Sequence, residues 1–213
     1  MNRLFPDLPA VPTAEEGSDV AYTPAACAAA CVRYLADNGG IPCPYWEPFA
    51  GGGAWIDPLD TIGPGFASEL DPHAASIGIG AHVWDAAKGP RPSWMPIRSV
   101  VTNPPFTCAA SMLRRFLQIE GVDLVCFLVL QAWIVAPGKE QEQRLDLIWG
   151  PTARPVEQVV LYPRIAFEGP GRSGTTTDMR EYCLLIWRRQ PDGSWLAPVT
   201  TLHRLDWRSG VVQ

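Results

Sequence analysis

The chain has 213 residues, 47% hydrophobic and 18% charged, which supports a packed core and argues against wholesale disorder. Seventeen basic against 22 acidic residues leave a net charge of −5, which disfavours a basic nucleic-acid wrapper. The first 109 residues hold 5 basic and 11 acidic residues and the rest hold 12 and 11, so the arginine-bearing second half is the better surface for a polyanion.

Residues 1–21 read as a proline-rich arm. Residues 22–40 predict a helix, with Thr23 as N-cap, Pro24 at the first helical position and Gly39-Gly40 as its stop. A short apolar strand follows and runs into the turn Glu47-Pro48-Phe49-Ala50-Gly51-Gly52-Gly53. A second strand ends in Glu69-Leu70-Asp71-Pro72 and precedes a short helix, and a third strand lies within 79–86. After a loop at 88–96, an apolar strand stops at Asn103-Pro104-Pro105-Phe106. Residues 108–121 form an amphipathic helix with Met112, Phe116 and Ile119 near one face, and 123–135 a buried strand ending in a helical turn. A helix at 139–149, a strand pair or bent strand at 158–169, a Gly/Thr loop at 170–178, a strand at 180–189 and a last strand at 194–205 complete the chain. Strands alternating with helices, then a hairpin-rich end, predict an α/β fold: a mostly parallel central sheet with an antiparallel edge hairpin and helices on both faces.

Three features stand in an informative order. Glycines at a strand end let a ligand approach the backbone closely. An acid about 20 residues later, at the tip of the next strand, is where nucleotide-binding sheets hold a ribose diol. Two prolines after Asn103 make a rigid loop entry, the simplest reading of that tetrapeptide taken alone. Blander readings apply elsewhere: Cys27 and Cys31 as packing residues, Arg114 and Arg115 on a solvated helix face, Trp55 as pocket lining or core, and Asp85 as a possible helix cap.

Together these residues resemble the class I S-adenosylmethionine-dependent N6-adenine DNA methyltransferases, a Rossmann-like family. Tyr22-Thr23-Pro24 is similar to the N-terminal motif against the methionine end of the cofactor, though Tyr22 is equally a helix-entry staple. Glu47, Phe49, Gly51 and Gly53 match the family's glycine motif. Glu69 or Asp71 would take the ribose, with spacing favouring Glu69, and Asp85 would lie against the cofactor adenine. Asn103, Pro104, Pro105 and Phe106 match the catalytic motif, with Asn103 between cofactor and base. The motif order is that of the gamma class, and the stretch ending at Trp187 is similar to small phage-borne enzymes.

The resemblance implies a methyl acceptor at adenine N6 in DNA, reached by flipping the base, with RNA adenine or guanine or a protein glutamine amide as alternatives. It implies S-adenosylmethionine as cofactor, S-adenosylhomocysteine as product, and one catalytic domain over 22–213 without a large target-recognition domain. Three histidines and six cysteines without a CxxC pair give no metal site, and the lack of an apolar leader or span points to a cytoplasmic protein with reduced thiols, off the membrane.

Overall fold

The computed structural model describes residues 21–70, 82–83, 85–86, 96–135, 141–169, 172–173 and 179–213. Residues 1–20 of the arm, the short helix after Glu69 and most of the loops at 88–96 and 170–178 lie outside the described residues. No described helix is long and apolar enough to cross a membrane.

Helix α1 spans Ala25–Asp37 and starts one residue later than the motif predicts. Pro24 is the N-cap, at φ −60° and ψ 139°, and its carbonyl accepts from the Cys27 and Ala28 amides at 2.9 and 3.0 Å. Thr23 is therefore not the cap; Trp55 and Asn103 engage its hydroxyl instead. Gly39 and Gly40, both at positive φ, end the helix. The Arg188 guanidinium closes this turn by donating to the carbonyls of Asn38 (2.7 Å) and Gly40 (2.9 Å).

Strands β1 (Tyr45–Glu47), β2 (Gly65–Glu69), β3 (His82–Val83), β4 (Ser99–Thr102) and β5 (Leu124–Leu130) pair in parallel in the order β3-β2-β1-β4-β5. Beyond β5 come β10 (Tyr182–Arg188), β7 (Glu157–Tyr162), β12 (Thr201–Asp206) and the edge strand β13 (Val211–Val212). The antiparallel expectation takes a specific form: β10 runs against both its neighbours from inside the sheet, β12 returns parallel to β7, and β12-β13 is an antiparallel edge pair. Two small two-stranded sheets complete the set, β6 (Ala153–Arg154) with β11 (Trp195–Leu196), and β8 (Glu168–Gly169) with β9 (Arg172–Ser173). The expected last strand is thus two strands, β11 and β12, and the stretch 158–169 holds two strands in different sheets, β7 and β8, which do not pair with each other.

Alternation along the central strands feeds two cores. Val101, Leu124, Cys126 and Leu128 face α1 and α2 (Ile56–Asp60). Val100, Val125, Phe127 and Val129 face α3 (Ala109–Leu117) and α4 (Gln141–Ile148). Helices thus cover both faces, as the period-two pattern of a sheet buried on two sides requires. In α3, Met112 and Phe116 are buried and Ile119 packs partly against the same cluster. Of the α3 arginines, Arg115 is buried and so not on a solvated face, whereas Arg114 stays partly exposed and approaches Asp146 of α4 at 3.8 Å. Buried indoles stitch elements across gaps, Trp187 to the Leu147 carbonyl and Trp195 to the Leu117 carbonyl. All six cysteines are free, and Cys27 and Cys31 are packing residues at 0% exposure.

Candidate active site

The strand order reverses at β1, where β2 lies on one side and β4 on the other. In open α/β sheets the crevice at that switch point, outside the carboxyl ends of the strands, receives ligands. Glu47 ends β1, Glu69 ends β2, and Asn103 directly follows β4. The residues singled out in sequence therefore meet because parallel pairing brings three strand ends to one edge.

The turn after β1 is held at both sides. The Ala50 amide donates to the Ser68 carbonyl (3.0 Å), and Gly53 closes back on the Ala50 carbonyl (2.7 Å). Gly51 sits at φ 50°, and a Cβ there would stand 2.9 Å from the Tyr22 ring, so glycine is needed for backbone and space alike. The Glu69 carboxylate bridges strand end and turn, accepting from the Gly51 amide (2.7 Å) and the Leu70 amide (2.7 Å).

Glu47 is wholly buried. Its Oε1 accepts from the Phe49 amide (3.0 Å) and the Thr102 hydroxyl (2.5 Å), while Oε2 has no hydrogen-bond partner among the described residues. Burial pushes its carboxyl up to about 8, and those two donors offset only part of that. An orphaned buried carboxylate oxygen beside a glycine turn suits a cationic ligand group, which would restore its charge.

Residues Ala21–Thr23 form a strap over this edge. Tyr22 exchanges backbone hydrogen bonds with Glu168 (2.8 and 3.0 Å), and its ring lies on Gly51 and Gly52. The Asn103 side chain donates from Nδ2 to the Ala21 carbonyl (3.0 Å) and the Thr23 hydroxyl oxygen (3.3 Å). A carbonyl can only accept, so this contact fixes which end of the amide faces the strap and turns Oδ1 the other way. Pro104 is buried, while Pro105 and Phe106 are half-buried. Phe106 meets Tyr182 with ring centroids 6.2 Å apart, and Tyr182 meets Phe167 at 4.6 Å.

Tyr22, Thr23, Glu47, Phe49, Gly51, Gly53, Glu69 and Asn103 thus share one edge, with Pro24 beginning α1 beside them. Asp71 lies outside the described residues. Asp85 is half-buried, and its charge acts on the buried Arg115 of α3. Trp55 belongs to the core: it is 3% exposed, and its indole donates to the Thr23 hydroxyl (3.3 Å). Sequence reasoning missed Thr102, which secures Glu47, and Glu168, which anchors the strap. A threonine at a strand end carries no distinguishing signal, and Glu168 lies 146 positions from Tyr22 in the chain (168 − 22).

No family model matches the sequence, and no curated protein matches it. Solved structures do resemble the fold. The methyltransferase subunit of a type I restriction-modification system from Streptococcus thermophilus superposes with a TM-score of 0.58 at 12% identity, covering 91% of this chain and 49% of that one. The EcoKI M protein of a type I restriction enzyme gives 0.56 at 13% identity, over 86% and 48%. The 23S rRNA methyltransferase ErmE gives 0.55 at 14% identity, over 78% and 70%. The chain spans about half the length of the two type I proteins. With its order β3-β2-β1-β4-β5-β10-β7 and the reversed β10, it has the Rossmann-like class I methyltransferase fold.

Proposed function

We propose that the protein transfers a methyl group from S-adenosylmethionine to the exocyclic N6 of adenine in DNA. The observation that carries this reading is the orientation of the Asn103 amide, whose Nδ2 is held by Ala21 and Thr23 so that Oδ1 is the end left for a substrate. An exocyclic amine is a weak nucleophile because its lone pair is delocalised into the ring. Acceptors at its two N–H groups favour the pyramidal nitrogen that attacks. Asn103 Oδ1 and the Pro104 carbonyl would be those acceptors, and the two prolines keep them from reorganising. Phe106 would stack on a base flipped out of the helix. The attacking nitrogen becomes acidic once alkylated, so its proton can leave to water without a strong general base.

The residues at the edge fit the cofactor. When bound, S-adenosylmethionine supplies an electrophilic methyl group on a sulfonium. Glu47, with its orphaned Oε2, would face the cationic methionine end beside Tyr22 and Pro24. Phe49, Gly51 and Gly53 would line the turn, Glu69 or Asp71 would take the ribose, and Asp85 the adenine. Glu69 would have to exchange its contact with the Gly51 amide to do so.

RNA is the second reading, favoured by the shared fold of a 23S rRNA methyltransferase. Tritiated methyl transfer to DNA, RNA and protein, run side by side, tests both. Label recovered from DNA as N6-methyladenine is expected, and Asn103→Ala should lower the rate about 10²- to 10³-fold, the range for removing one preorganised transition-state contact. Label in RNA or protein alone would overturn the DNA assignment.

A further inference from the structure

We infer that Thr23 is a positioning residue for Asn103 rather than a contact for the cofactor, an inference that rests on the reading of Asn103 as the residue that engages the substrate amine. Thr23 is 5% exposed. Its hydroxyl oxygen takes two donors at 3.3 Å, Asn103 Nδ2 and Trp55 Nε1. A hydroxyl has two acceptor sites, and both are engaged by these nitrogens. The same Nδ2 reaches the Ala21 carbonyl, so both amide protons of Asn103 have acceptors on one strap.

That arrangement has a chemical consequence. The carbonyl of Ala21 decides which end of the amide faces the strap, and the hydroxyl of Thr23 fixes its rotation by holding a second proton. Without the hydroxyl, two N–H groups lose their acceptor, the buried Trp55 indole and one amide proton of Asn103, and the amide can turn, so Oδ1 no longer stands ready as an acceptor. The indole of Trp55 ties the same hydroxyl to the start of α2, just after the glycine turn. Thr23 thus joins the turn side and the catalytic side of the edge at one oxygen.

The test uses Thr23→Val, which keeps the shape and removes the hydroxyl, and Thr23→Ser, which restores it. Thr23→Val should lower kcat about three- to tenfold, as expected for the hydrogen bond lost by Asn103, with KM and cofactor Kd within twofold of wild type and the Trp55 bond felt in stability. Thr23→Ser should recover most of kcat. A direct readout needs no turnover. The chain has three asparagines, Asn2, Asn38 and Asn103, so asparagine-selective 15N labelling gives three side-chain amide pairs, and Asn103→Asp identifies the one that matters. In Thr23→Val the Asn103 amide protons should shift and exchange faster.

Unchanged Asn103 resonances in Thr23→Val would overturn the inference whatever the activity. A weakened cofactor Kd with kcat intact would also overturn it, by assigning Thr23 to cofactor binding. Shifted resonances in a protein that methylates no amine would leave the positioning contact standing and remove the proposed function.

Discussion

Strands β1, β2 and β4 are three to five residues long and end in polar groups, whereas β5 and β10 run for seven residues and pair along their whole length. The short strands serve to deliver side chains to one edge; a buried carboxyl, a positive-φ glycine turn and a half-buried amide gather there. The long strands supply the ladder and the aromatic core. Stability and chemistry are therefore separated along the sheet, with the costly features concentrated where the strands contribute least regular pairing.

The largest expected effect lies in the long-strand region. Phe127 stands at 0% exposure, edge-to-face with both Phe116 (6.0 Å) and Trp187 (6.1 Å). Phe127→Ala should cost about 3–5 kcal/mol in urea unfolding, the range for truncating a buried aromatic. A cost below about 1 kcal/mol would erase the distinction between the regions.

Glu47 should show the opposite character. Its folded carboxyl titrates near 8 against an ordinary 4.5, so between those pH values the folded protein holds a proton that the unfolded chain has released. Stability should fall as pH rises through that window, by at most a few kcal/mol. In Glu47→Gln the slope between pH 5 and 8 should flatten. An unaltered slope would mean that Glu47 is charged in the fold and compensated.

Gly51→Ala should have the smallest effect. The added Cβ would meet the Tyr22 ring at 2.9 Å, and alanine at φ 50° is strained by about 1–2 kcal/mol. Combining it with Tyr22→Ala separates the two causes. If Gly51→Ala costs as much in the Tyr22→Ala background as in wild type, the ring contact adds nothing.

The site was legible where its chemistry is local. A glycine turn at a strand end, an acid at the next strand end and a proline pair after asparagine each declare themselves within a few residues. Helix α1 and its glycine stop were legible for the same reason. What stayed hidden depends on distant partners. Thr23 looks like an N-cap until Trp55 and Asn103 are seen to claim its hydroxyl. Arg115 looks solvated until α3 turns it toward Asp85. The insertion of β10 between β5 and β7 follows from pairing that no short window of sequence encodes.

The bridge between Tyr22 and Glu168 has a consequence in time. It joins positions 146 apart, so the strap that orients Asn103 is not pinned on its outer side until β7, which precedes Glu168 in the chain, is in place. Contacts of such wide separation form late because their loop-closure cost must be met by structure already formed. A nascent chain with β1 to β5 complete would hold every residue of the glycine and proline motifs yet lack the Glu168 bridge that pins the strap. The pinned strap would appear only with the last third of the chain.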